Sequence, residues 1–163
     1  MDLVIVKKGE SGDDEHRENL VNYIEDDRKL MIGGNGVDYT NAGATLKQME
    51  TVAEYFDKTH VCPLVQVILA FDGSVTDPQM ACAYTKQAAQ YFGEDYQSVY
   101  CAHEKDHECA TLHAHIMLNP VNVQDGKLLD TNHDNMDAFC DYVSDITGNN
   151  NRLIYKRKPR KNN

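Results

Sequence analysis

The sequence predicts an α+β fold, a largely antiparallel central sheet of about five strands with helices packed on it. Three observations carry this expectation. Apolar segments of period 2 and period 3.6 do not alternate strictly along the chain, which disfavours a regular parallel βαβ array. The turn Asp125-Gly126 separates short apolar segments that can pair back on each other. The run Leu64-Val65-Gln66-Val67-Ile68-Leu69-Ala70-Phe71 is apolar and β-branched enough to be an interior strand.

In chain order, residues 3–7 read as a short strand and 9–14 as a polar loop. From 15 to 32, Leu20, Tyr23, Ile24, Leu30 and Met31 recur at helical spacing, predicting an amphipathic helix stopped by Gly33-Gly34-Asn35-Gly36. Residues 45–57 give a second helix with Leu46, Met49, Val52, Ala53 and Phe56 on one face. The interior strand follows, opened by Pro63. Asp77 is placed to cap the next helix and Pro78 to fill its first position, and that helix runs to about residue 92. Strands at 97–102 and 113–119 come next, then a hairpin of 122–123 with 127–129. A last helix over 135–147 and a short strand at 153–155 close the fold. Neither an internal repeat nor a low-complexity linker interrupts the pattern.

A chain of 163 residues suits one domain with a proper core, here 1–155, followed by a basic end, 156–163, that reads as a tail or a junction to a further segment. No apolar segment is long enough to span a bilayer, and the first residues are too short and too acidic for a secretory signal. The expectation is a cytoplasmic protein with no membrane insertion. Five cysteines, an odd number without a CxxC pair, read as reduced and mostly buried thiols. A formal net charge of −10 excludes a protein whose whole surface binds nucleic acid, because phosphate contacts need Lys and Arg. The charge is uneven, however. Asp13, Asp14, Glu15, Glu18, Glu25, Asp26 and Asp27 crowd the first helix region, whereas Lys156-Arg157-Lys158-Pro159-Arg160-Lys161 is basic. Lys7, Lys8, Arg28 and Lys29 are further cations suited to phosphate.

Chemistry concentrates between His103 and Asn119. Four of the seven histidines, His103, His107, His113 and His115, fall within thirteen residues, interleaved with carboxylates and leading into an apolar strand. On a strand His113 and His115 leave the same face with Cα atoms about 6.6 Å apart, while Ala114 and Ile116 point the other way. Such a pair alone also fits a solvated strand face. With a third imidazole from upstream, either His103 at the strand end or His107 in the loop, it fits one metal ion with positions open to water or substrate. Cys109, inside the histidine loop, is a candidate extra ligand that its awkward placement disfavours. Tyr23, on spacing alone, reads as a core aromatic of its helix.

Taken together, the interior strand, Val75-Thr76-Asp77-Pro78-Gln79-Met80-Ala81, Tyr96-Gln97-Ser98-Val99-Tyr100-Cys101-Ala102-His103 and Leu112-His113-Ala114-His115-Ile116-Met117-Leu118-Asn119-Pro120-Val121-Asn122 with Gly126-Lys127 form a recognisable set. It resembles the relaxase (mobilisation) domain of conjugative plasmids and integrative elements, in the P-type mobilisation group of the HUH endonuclease superfamily. The likeness runs over about residues 3–130, with His113-Ala114-His115 as the HUH motif and the strand ending in Asn-Pro-Val-Asn as its most specific part. The resemblance implies the HUH relaxase fold, and His103 as third ligand. The loop to His113 is longer than usual in the group, which leaves His107 as a substitute. It also implies a tyrosine nucleophile on the N-terminal helix, where Tyr23 sits. Tyr39 is one rival; Tyr142 is another, placed where replication initiators and some transposases of the superfamily carry theirs, though the residues after it lack the usual lysine.

The activity so implied is site- and strand-specific nicking of single-stranded DNA at a transfer origin through a 5′-phosphotyrosine ester, resealable without ATP. Its cofactor is a divalent ion on three histidines, Mn or Mg in function, with Zn, Co or Ni also suited to imidazole. Glu104, Asp106 and Glu108 are candidates to orient a ligand or take the tyrosine proton. Asn119 and Lys127 join Lys7, Lys8, Arg28 and Lys29 as expected DNA contacts. Expected partners are single-stranded origin DNA, accessory relaxosome proteins and a coupling protein. The alternatives are an initiator or transposase using Tyr142 and, from another class, a non-catalytic DNA- or protein-binding module that kept the fold.

Overall fold

The structure, a computed structural model, describes residues 1–8, 14–106 and 109–156. Its elements are β1 (Asp2–Lys8), α1 (Glu15–Glu25), β2 (Met31–Asn35), α2 (Ala42–Tyr55), β3 (Val65–Ala70), α3 (Pro78–Gln90), β4 (Ser98–His103), β5 (His113–Leu118), α4 (His133–Thr147) and β6 (Asn151–Lys156). They build one six-stranded sheet in the order β2-β4-β5-β3-β1-β6, antiparallel at each pairing except the parallel β1 and β6. The α+β fold with a largely antiparallel sheet is as expected, with one strand more. The starts of α2, α3 and α4 follow residue chemistry, whereas Asp14 makes no side-chain cap on α1. Asp77 accepts from Gln79 N at 2.9 Å with Pro78 at the first position of α3, and Asn41 and Asn132 cap α2 and α4 in the same way.

The main departure lies at 15–35. Apolar periodicity extends the first helix to residue 32, yet α1 stops at Glu25. Side chains take over its end: Lys29 Nζ donates to the carbonyl oxygens of Ile24 and Asp26 at 3.0 and 2.8 Å, and Arg28 forks onto the Asp26 carboxylate. The chain then enters β2, an edge strand on β4. Its glycines, read from the sequence as a breaker, answer to close approach instead. A Cβ at Gly33 would lie 2.5 Å from the Tyr100 ring, and one at Gly34 3.0 Å from the Ser98 carbonyl oxygen. The expected hairpin near Gly126 is reduced to one bridge, Val121 with Leu128.

Strand alternation divides the sheet residues between two faces. Val4, Val6, Val65, Val67, Leu69, Ala114, Ile116 and Leu118 form one core with Ala81, Ala88 and Ala89 of α3 and Met136, Phe139 and Val143 of α4. On the opposite face α1 and α2 cover β2, β4 and β5, where Leu20, Ile24 and Met49 meet Val99 and Met117, and Tyr23 of α1 reaches Gln66 on β3. Beyond β3, which is buried, the β1-β6 side is open. There Ile5, Lys7 and Ile154 are half-buried and Arg152 and Lys156 exposed, beside a cavity of about 310 Å³ bounded by Lys7, Ile68, His113, His115 and Lys156.

Candidate metal centre and active site

The centre forms where β4 ends and β5 begins. Antiparallel register sets His103 opposite His113 and Cys101 opposite His115, so all three imidazoles share the face that α1 partly covers. They are buried, their ring centroids lie 5.1–5.5 Å apart, and one nitrogen from each falls within 4.8 Å of the others. His113 Nδ1 donates to the Thr111 carbonyl oxygen at 3.1 Å, which leaves the lone pair on Nε2. That Nε2 and the Nε2 of His103 are buried and have no hydrogen-bond partner among the described residues. Buried polar atoms are normally satisfied, so orphaned nitrogens in a cluster of three imidazoles fit a divalent cation.

The electrostatics agree. Burial, reinforced by neighbouring His113, holds the His103 imidazole below its ordinary range; burial, with His113, His103 and Lys7 nearby, takes His115 down to about 2. Both rings are therefore neutral at pH 7, the form a cation requires. Burial pushes the Cys101 thiol, paired across the strands with His115, up to about 12.

Tyr23 completes the group. Leu20 and Ile24 bury the apolar stripe of α1, and the adjacent Tyr23 ring stacks on His115 with centroids 4.2 Å apart and planes 19° from parallel. Its centroid is 5.7 Å from that of His103. The hydroxyl oxygen accepts from Gln66 Nε2 at 2.8 Å, and the same amide nitrogen lies 3.1 Å from His115 Nδ1. A family model, that of the MobA/VirD2-like relaxase nuclease domain, matches residues 21–151 of the 163. The chain belongs to this relaxase family. No curated protein matches it.

As a relaxase of the HUH superfamily the chain is a DNA-nicking nuclease, and its histidine cluster is compatible with a divalent ion. No helix among the described residues is long and apolar enough to cross a membrane. Both rival tyrosines of the relaxase lie away from the histidines. Tyr39 packs over Gly34, which pairs with Val99, and His103 lies four residue steps along the strand from Val99, about 13 Å. Tyr142 is on α4, across the sheet, where its hydroxyl donates to the Gln87 carbonyl oxygen at 3.1 Å. Of the acidic candidates, Asp106 reaches the centre, with Oδ2 3.7 Å from His113 Nε2 and Oδ1 accepting from Cys109 N at 3.0 Å. Glu104 is exposed and lines a different cavity with Val75 and Pro78. His107 and Glu108 lie outside the described residues, as do 157–163 of the basic end.

The expected DNA contacts divide. Lys7 faces the histidines across the open cavity, and Arg28 is exposed although paired with Asp26. Lys8 points to the opposite face from Lys7, toward Asn132 and His133. Lys29 is committed to the carbonyl oxygens that end α1. Asn119 needs correction: it is 1% exposed, and its amide donates to the Met49 and Gln97 oxygens while its carbonyl accepts from Val121 N. It clamps the end of β5 and has no atom free for DNA. Lys127 pairs with Asp125 beyond the Leu118 end of β5, the end far from His113. Sequence reasoning missed Gln66 and Arg152. A lone amide inside an apolar β-branched run is costly to bury, and that was the available signal for Gln66.

Proposed function

We propose that this relaxase cuts one DNA strand at a specific site by transesterification, with Tyr23 as nucleophile. What carries the reading is the Tyr23 ring stacked 4.2 Å above His115, its hydroxyl anchored on Gln66, beside three buried imidazoles. The phenol oxygen attacks phosphorus: the Tyr23 Oη–P bond forms as the P–O3′ bond breaks, the phenolic proton passes to a base, and the leaving 3′-oxygen gains a proton. The 5′ end stays on the protein as a phosphotyrosyl ester, and attack by a 3′-hydroxyl reverses the step without ATP. His103, His113 and His115 would hold a divalent ion, Mn or Mg, which when bound would supply Lewis acidity to the charge that builds on the phosphate in the transition state. We assign Asp106 to the same centre, as a proton acceptor working through water.

The strand itself runs over the open side of the sheet face. Register puts Lys7 beside Lys156, and Leu3 beside Arg152, on the face that carries Gln66 and the histidines. Among the described residues a chain of net charge −10 thus has Lys7, Arg152 and Lys156 together on the face where this reading lays the phosphate backbone. Single-stranded DNA at a transfer origin, accessory relaxosome proteins and a coupling protein are the partners in this reading.

The test is a denaturing gel with 3′-end-labelled single strands from the element that encodes the chain, plus Mn²⁺. A labelled band should migrate with the protein, vanish in Tyr23→Phe and in His103→Ala, and persist in Tyr39→Phe and Tyr142→Phe. A covalent band that survives Tyr23→Phe would move the nucleophile elsewhere. Full DNA affinity with no adduct under any ion would favour a binding module.

A further inference from the structure

Gln66 is fully buried near the start of β3, on the histidine side of the sheet. Its Nε2 is the end placed against Tyr23 Oη and His115 Nδ1, and its Oε1 is buried with no hydrogen-bond partner among the described residues. A half-turn about the last side-chain bond exchanges the two ends of a carboxamide, so the neighbours decide which faces inward. With the NH₂ end inward, the amide donates to Nδ1, His115 must carry its proton on Nε2, and neither nitrogen has a lone pair for a cation. With the carbonyl inward, one oxygen accepts both from the Tyr23 hydroxyl and from Nδ1–H, and Nε2 becomes a ligand. The Thr111 carbonyl does this for His113 at 3.1 Å.

We propose that Gln66 is a positioning residue that ties the nucleophile to a metal ligand, its side-chain carbonyl fixing the ligating tautomer of His115 while holding the Tyr23 hydroxyl beside it. The inference rests on the nicking function proposed for Tyr23 and the three histidines. Its consequence is that the ion and the phenol share one support, so removing that support costs metal affinity as well as cutting. The stacked ring holds Tyr23 against His115, and the amide meets its hydroxyl oxygen at 2.8 Å.

Calorimetric titration of Mn²⁺ into the full chain tests the tie apart from catalysis, with thermal unfolding to establish that each variant is folded. Gln66→Leu should bind the ion about tenfold more weakly or worse, the usual effect of losing a partner behind a ligating imidazole. Gln66→Glu, whose carboxylate accepts the same two protons, should stay within about threefold of the unaltered chain. Tyr23→Phe should keep its Mn²⁺ affinity. Unchanged binding in a folded Gln66→Leu, equal losses in the Leu and Glu variants, or no Mn²⁺ binding by the unaltered chain would each overturn the proposal, the second by making Gln66 a packing residue. A chain that follows the expected order of affinities yet forms no DNA adduct would remove nicking and leave the His115 assignment standing. The reverse outcome, adduct without that order, would do the opposite.

Discussion

β3 and β5 each present two unlike faces from alternate residues. Toward α3 and α4 they offer Val65, Val67, Leu69, Ala114, Ile116 and Leu118, an apolar surface that packs into a core. One residue out of step, toward α1, they offer Gln66, Ile68, His113, His115 and Met117. On that second face His113 Nε2 and Gln66 Oε1, with His103 Nε2 from neighbouring β4, are buried without a hydrogen-bond partner among the described residues, and each such atom costs on the order of 1–3 kcal/mol. The difference teaches a division of labour: the α3–α4 face holds the strands in register, and the register holds together polar groups that would not assemble by themselves.

Substitution on either side should separate the two roles. Ile116→Ala, fully buried on the apolar face, should cost about 2–5 kcal/mol of stability and leave Mn²⁺ affinity unaltered. His115→Ala, the adjacent position, should abolish Mn²⁺ binding at a smaller stability cost. Denaturant unfolding alongside metal titration reads both, and equal stability losses from the two would break the comparison.

Acid should strike the polar face selectively. The His115 pKa is about 2 in the folded chain against an ordinary 6.5. Above about pH 6.5 both states are neutral there, and below it the unfolded chain takes up the proton first, so stability falls as pH falls. Ion-free protein should lose about 2 kcal/mol from this group between pH 7 and pH 5, seen as a lower Tm. His115→Ala should lose less over the same window. A Tm that rises on acidification would contradict the buried neutral imidazole.

The smallest expected effects belong to the open side of the sheet. Lys7→Ala and Lys156→Ala should each weaken single-strand binding and flatten its log–log salt dependence by roughly 0.7, whereas Lys127→Ala should leave the slope alone. An equal change in all three would spread the DNA path beyond the β1-β6 side.

Much of this arrangement was legible in the residues. His113 and His115 announced their shared face by spacing, Asp77-Pro78 announced the start of α3, and the run from Leu64 announced an interior strand. What the sequence concealed was decided by distant contacts. Met31 and Gly33 look like a helix end and a breaker until Tyr100 comes to lie against the glycine. Asn119 looks like a surface amide until Gln97 and Met49 claim it. Lys29 looks like a free cation until its ammonium caps α1. In each case the partner lies on another element or at a helix end whose position periodicity misjudged, and local pattern carries no information about either.

The most direct measurement is an anomalous-scattering map from crystals of the chain soaked in Mn²⁺. One strong peak should lie in ligating contact with a nitrogen each of His103, His113 and His115, with the Tyr23 ring still lying on His115. A peak elsewhere, imidazoles turned away from one another, or Tyr23 withdrawn across the molecule would contradict this arrangement.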